Sequence, residues 1–257
     1  MTVETLIATM NQKNHDILTR MNIQTDAIVG NQSIEDKIER FSFEGKKIQF
    51  LTLNEKGVGL NRNNALMRAK SDICVLADDD MVFIDGYEKI VLEQFQKYQK
   101  ADVLIFNLLE EKPIQPITLK DMSVTKLNFM KYGAARIAFR REKVTMNGIS
   151  FNLNFGGGTS FSSGEDTLFL NECLNKKLKI IAVNVSLAYL NDARESTWFA
   201  GYSEKFFYDK GIIFKLVAPK IYKLYILRFA LLKQKLYKKE MPWFKAYKFM
   251  ISGSKHV

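Results

Sequence analysis

The sequence predicts an α/β fold, a mostly parallel sheet flanked by helices, followed by a basic amphipathic C-terminal helical extension. Three observations support this. Short apolar runs alternate with stretches of helical periodicity over the first 190 residues. No internal repeat interrupts that alternation. The charge also divides the chain: Lys+Arg exceed Asp+Glu by 10 overall, and residues 205–257 hold the entire excess. The composition is that of a packed protein, at 47% hydrophobic and 26% charged with only 4 Pro, which excludes a disordered or collagen-like chain.

The strands are expected at Glu4–Thr9, Asp26–Val29, Lys47–Leu53, Ile73–Ala77, Asp102–Leu108 and Ile180–Ala188. Helices fit between them at His15–Met21, Arg62–Lys70 and Tyr87–Tyr98, with a further helix over Gly164–Lys177. Ser163 suits its cap, and Glu165 and Asp166 suit its first turn, where the helix dipole favours anions. Ligands of such sheets gather at the C-terminal strand ends. The 2 cysteines, Cys74 and Cys173, lie in apolar runs and read as reduced core residues. The 2 histidines, His15 and His256, sit near opposite ends, which argues against a His-rich zinc site or a His-based nucleophilic triad.

Asp78, Asp79 and Asp80 follow the Ile73–Ala77 strand directly. Three adjacent carboxylates repel unless a cation compensates them. In an extended chain Asp78 and Asp80 would point to one side, an oxygen pair suited to Mn²⁺ or Mg²⁺ holding a phosphate group. A solvated acidic turn is the alternative. The loop Gly156-Gly157-Gly158 leads to Glu165-Asp166 and could deliver a general base to a substrate hydroxyl, or the pair could simply cap a helix. No Gly-Lys-Ser/Thr follows these glycines, so this is not a Walker phosphate loop.

In their order these features resemble the GT-A fold of family 2 glycosyltransferases, over roughly residues 3–190. Leu6-Ile7-Ala8-Thr9-Met10-Asn11 resembles the first strand and nucleotide-cradling turn, with Ala8 and Met10 where Pro and Tyr are common. Gly57 to Leu66 is similar to the family segment ending in Ala-Arg-Asn-x-Gly-Leu, and Ser71–Asp80 to the strand that ends in Asp-x-Asp. Phe139-Arg140-Arg141-Glu142 and Gly164-Glu165-Asp166 resemble the acceptor-side segment. The resemblance implies that Thr9, Asn11, Asn31, Gln32, Arg62, Asp78 and Asp79 bind the donor, with Asp78 at the ribose. It implies that Asp80 and Asp78 hold Mn²⁺ or Mg²⁺, and that the Glu165–Asp166 pair supplies the base.

Gly30-Asn31-Gln32 departs from the acidic pair usual after the second strand, but an amide oxygen of Asn31 or Gln32 could accept from uracil N3–H. A His often found after the last strand is absent around Tyr189 and Leu190. The expected activity is metal-dependent, inverting transfer from a nucleotide-sugar, UDP-sugar favoured, to a lipid-linked or oligosaccharide acceptor in cell-surface polysaccharide synthesis. A sugar-nucleotide-forming nucleotidyltransferase would place its Gly-rich loop after the first strand, where Asn11-Gln12-Lys13-Asn14 has no glycine. A non-catalytic membrane-surface adaptor would explain the tail and not the acidic triplet.

The expected division is a catalytic domain over 1–200 and a basic, aromatic-rich helical tail over 201–257. Pro219 suits the first turn of a helix running to residue 239, with Lys220, Lys223, Arg228, Lys235, Lys238 and Lys239 on one side and apolar residues mostly elsewhere. The tail could lie in the inner membrane leaflet or pack on the body. Nucleic-acid binding is not expected, since no zinc-finger, RRM or helix-turn-helix signature positions the basic residues. With no basic n-region and apolar stretch at the N-terminus, the expected location is the cytoplasm, peripheral on the cytoplasmic face of the plasma membrane.

Overall fold

A computed structural model of the chain describes residues 1–110, 117–190 and 201–256. The first half alternates as expected: β1 (Val3–Met10), α1 (Ile17–Arg20), β2 (Asp26–Gln32), β3 (Lys37–Phe43), β4 (Lys46–Leu53), α2 (Val58–Arg68), β5 (Ile73–Asp78), β6 (Met81–Phe83), α3 (Tyr87–Lys97) and β7 (Val103–Leu109). The rest comprises β8 (Met122–Val124), β9 (Ile137–Arg140), α4 (Arg141–Met146), α5 (Glu165–Asn175), β10 (Ile180–Leu190), α6 (Glu204–Val217), α7 (Tyr222–Leu232), α8 (Gln234–Tyr237) and α9 (Trp243–Gly253).

One sheet runs β3-β4-β2-β1-β5-β9-β7-β10-β6, with β8 beside β10. Its centre, β4-β2-β1-β5, is parallel, as is β7 with β10. β9 enters antiparallel between β5 and β7, and β3 and β6 close the edges antiparallel, so the sheet is mixed. Alternate side chains feed two cores, as the period of two in a strand requires. Leu6, Cys74, Leu76 and Ile105 face the layer holding Ala65, Phe169 and Ile213, whereas Ile7, Val75, Ala77 and Phe106 face Leu18, Tyr87 and Phe95. Both cysteines are unpaired and buried.

The tail folds onto this body. Ile212, Ile213 and Val217 of α6 belong to the body's own core, while Phe207 and Phe214 on the same helix join Ile226, Tyr237 and Met250 in a separate cluster. A boundary at residue 200 therefore does not fall between two independent cores. The expected helix over 219–239 is two pieces. Pro219 to Ile221 form a turn before α7, and the chain breaks again at Lys233. There the Tyr237 hydroxyl, buried, donates to the Ala230 carbonyl, and the break lets Tyr237 fold back. Among the described residues no helix is long and apolar enough to cross a membrane.

Glycines set how closely α6 and α9 cross. A Cβ on Gly211 would lie 1.9 Å from the Met250 carbonyl oxygen, and one on Gly253 would lie 1.9 Å from that of Tyr208. In an ordinary helix Gly→Ala stabilises by roughly 0.5–1 kcal/mol. Here Gly211→Ala is expected to destabilise by about 1–3 kcal/mol through overpacking. Thermal denaturation reads the sign, and a raised Tm would contradict the tight crossing.

Candidate active site

The site forms where β1, β5, α2 and α5 meet at the C-terminal edge of the parallel strands. At its centre is Arg62, buried on α2. Its Nη2 donates to Asp78 Oδ1 at 2.5 Å and its Nη1 to Glu165 Oε1 at 2.8 Å. Phe151 lies beneath the guanidinium, 5.5 Å from ring centre to Cζ. Burial opposes the charge, but the two carboxylates outweigh it and hold Arg62 firmly protonated. The neighbours of Arg62 on α2 fix its surroundings. Asn63 exchanges hydrogen bonds with both the N–H and C=O of Phe151, and Asn64 donates to Glu55.

Glu165 and Asp166 open α5. Glu165 reaches Arg62 only because Gly156 has no side chain: a Cβ there would lie 2.8 Å from Glu165 Oε2, and Gly156 holds φ +101°. The Gly-rich loop thus admits the carboxylate that binds Arg62. Asp166 is tuned differently. Desolvation pushes its carboxyl up to about 7, and the charge of Glu165 pushes the same way. The Thr167 N–H, Arg62 and Lys210 pull against that shift without cancelling it. Lys210, on α6, is itself held below its ordinary range by burial, against the attraction of Asp166. Sequence reading missed Lys210 because it lies in the tail, outside every motif. The Glu195–Trp198 segment, expected on the acceptor side, lies outside the described residues.

Asp78 ends β5 and remains 39% exposed. Asp79 and Asp80 form the turn into β6, so the period-two argument that put Asp78 and Asp80 on one side stops at Asp78. Thr9, buried at the end of β1, donates to Asp79 Oδ2 at 2.6 Å and ties the first strand to the triplet. Among the described residues no group of three or more His, Cys, Asp or Glu could hold a metal ion alone. Asp78 and Asp80 are hard oxygen donors, and one or two such carboxylates suffice for Mg²⁺ or Mn²⁺ when phosphate oxygens and water complete the shell. The residues present fit a metal shared with a substrate.

The other expected donor contacts are arranged differently. Asn11 is exposed in the left-handed region at φ 55°, and its N–H donates to the Gln32 carbonyl. Asn31 is fully buried; its Oδ1 accepts from the Gln12 N–H, and its Nδ2 donates to the Gln12 carbonyl and Thr52. Gln32 Oε1 accepts from the Gly57 N–H that opens α2. Asn31 thus holds the turn after β1, while Gln32 engages its amide oxygen with the start of α2. Gln12, which sequence reading passed over, also donates to Thr9 Oγ1 and accepts from Arg20, so it locks the turn after β1. Its only sequence signal is its place after Asn11.

The Glycosyl transferase family 2 model matches residues 29–161, half of the chain. No curated protein sequence matches. Among solved structures, residues 1–349 of S. aureus TarS in complex with UDP align with a TM-score of 0.66 at 16% identity, covering 98% of this chain and 81% of that one. The same TarS piece in complex with UDP-GlcNAc gives 0.65 at 16% identity, covering 93% and 74%. A longer TarS structure gives 0.60 at 17% identity over 86% of this chain, which spans only 40% of its length. At such identity the likeness establishes the fold, and the family model adds the sequence. This chain belongs to glycosyl transferase family 2 and is a glycosyltransferase.

Proposed function

We propose that the chain transfers a sugar from a UDP-sugar to an acceptor hydroxyl, with inversion at the anomeric carbon and with Mn²⁺ or Mg²⁺ bound. The observation that carries this reading is the Asp166 carboxyl, held at about 7 and joined to the donor side by its neighbour Glu165 through Arg62 and Asp78. A general base works best when its affinity for protons matches the working pH. Uridine is favoured because UDP and UDP-GlcNAc occupy the structurally similar TarS.

In the proposed step the acceptor oxygen attacks the anomeric carbon from the face opposite the diphosphate. Its proton passes to Asp166 as the new C–O bond forms, and the bond to the UDP oxygen breaks with its electron pair on the leaving UDP. Glu165 does not take the proton. Its Oε1 is engaged by Arg62 Nη1, so it positions the turn carrying Asp166, and its charge raises that group's proton affinity. Asp80 and Asp78 would hold the metal, which offsets charge growing on the diphosphate. The acceptor we favour is a lipid-linked saccharide at the cytoplasmic face of a membrane, in cell-surface polysaccharide synthesis; the basic tail supports that choice.

Calorimetry with UDP tests the donor half. Binding is expected to require Mn²⁺ or Mg²⁺ and to weaken at least about tenfold in Asp80→Asn, since a lost charged ligand costs well over 1.4 kcal/mol. Equal binding with and without metal would overturn the metal assignment.

A further inference from the structure

The tail helices bury one face and leave a second apolar face in solvent. On α7, Ile226 and Ala230 are buried against α6 and α9. On an adjoining side Leu224 is 64% exposed, Leu227 40% and Leu231 47%. At 100° per residue these three leucines fall within about 60° of one another. Leu232, Leu236, Trp243 and Phe244 are further exposed apolar side chains on the end of α7, on α8 and in the first turn of α9. A helix apolar on two sides calls for a second partner besides its own core.

The charge around this face selects the partner. Between Lys220 and Lys255 ten Lys and Arg residues stand against one acid, Glu240, and all ten are exposed. The expected wheel separated the basic side from the apolar one. In the folded tail Arg228 on α7 falls about 40° from Leu224, beside the leucines, and Lys220 and Lys235 come just before and just after that helix in the chain. A second copy of the chain would bring two strongly positive faces together. A nucleic acid would leave the leucines in water. A surface offering both anionic head groups and an apolar interior satisfies both features.

We propose that the outer face of α7, continued by α8 and the start of α9, docks on an anionic lipid bilayer. Leu224, Leu227 and Leu231 enter the interface, and the lysines and Arg228 meet the head groups. Trp243 sits at the level where indoles favour the head-group region. The inference deepens the proposed function, because an enzyme lying on the bilayer reaches a lipid-linked acceptor, yet nothing in it depends on nucleotide binding. The inner contacts of α6 to α9 with each other and with the body make the face a rigid platform.

The test is co-sedimentation of the full chain with vesicles of phosphatidylcholine alone or with 30% phosphatidylglycerol, a composition of roughly physiological surface charge. Wild type is expected to pellet with the anionic vesicles, and Leu224→Ser/Leu227→Ser/Leu231→Ser to partition at least about tenfold more weakly. These side chains face solvent, so its melting temperature should match wild type. In a Trp198→Phe chain, Trp243 emission should shift to the blue on vesicle binding, a readout independent of the leucine variant. Equal pelleting of wild type and the triple variant would reduce the contact to charge alone and overturn leucine insertion. No pelleting of wild type, or a wild-type dimer that the triple variant loses, would overturn the bilayer as partner. UDP binding measured on the same samples separates failure of this inference from failure of the donor reading.

Discussion

Asp166→Asn is expected to lower transfer by about 10²–10⁴-fold while UDP still binds, because the variant keeps the shape and loses the proton acceptor. Wild-type kcat/KM should rise with pH through about 7 and level off above it, as Asp166 ionises. The stability of the two proteins should diverge in the opposite sense. Asp166 has its folded proton affinity raised above the ordinary 3.8, so its contribution is fully present below pH 4 and is lost as pH climbs through 7. Asparagine never ionises. Asp166→Asn should therefore melt higher than wild type at pH 8.5, by an amount on the order of a few kcal/mol, and the gap should narrow at pH 5. A gap that does not change with pH would mean that Asp166 is not held protonated by the fold. Transfer retained above about a tenth would remove it as the base.

Arg62→Met carries the largest expected cost in stability, about 3–5 kcal/mol, because it strands carboxylates that the fold has taken from water. The penalty falls chiefly on Glu165, whose side chain is 12% exposed against 39% for Asp78. For a chain of this size each kcal/mol moves Tm by roughly 2–4 °C, so a fall near 10 °C is expected in thermal denaturation. Arg62→Lys should recover little, since one ammonium cannot reproduce a fork that reaches two acids from different elements. Glu165→Gln placed on top of Arg62→Met should restore much of the loss, which is the coupling expected of two groups in one network. If the double variant is no more stable than Arg62→Met alone, the buried pair is not the source of the cost.

What could be read from the sequence follows a physical division. β1, β5, β7 and β10 are dense apolar runs, and the acids at the end of β5 and the start of α5 are conspicuous against that background. β3 escaped because it is an edge strand: Ile38 is 48% exposed, and Lys37, Glu39 and Arg40 dilute its alternation. β9 is four residues long, buried and antiparallel, too short for its period to be distinguished. Within the site, Arg62, Asp78 and Glu165 were each marked, but the salt bridges joining them span as many as 103 residues of chain, and no local pattern encodes such a meeting. Asn31 and Gln32 show the converse. The resemblance implied that they bind the donor; what the sequence did not carry is that they also meet the Gln12 and Gly57 backbone, which only the folded chain brings near.

The double membership of α6 has a consequence for the protein as a whole. One face of that helix completes the body's core through Ile212, Ile213 and Val217, and the other completes the tail's through Phe207 and Phe214. Neither hydrophobic unit is whole without it, so the two share a single folding transition rather than melting in turn. Ile213 also presses on Gly164, the residue before the catalytic pair, within 2.5 Å of where a Cβ would stand. The helix that anchors the outward-facing tail thus also backs the turn that carries the base, so a substitution on the inner side of α6 is expected to disturb catalysis without touching a substrate.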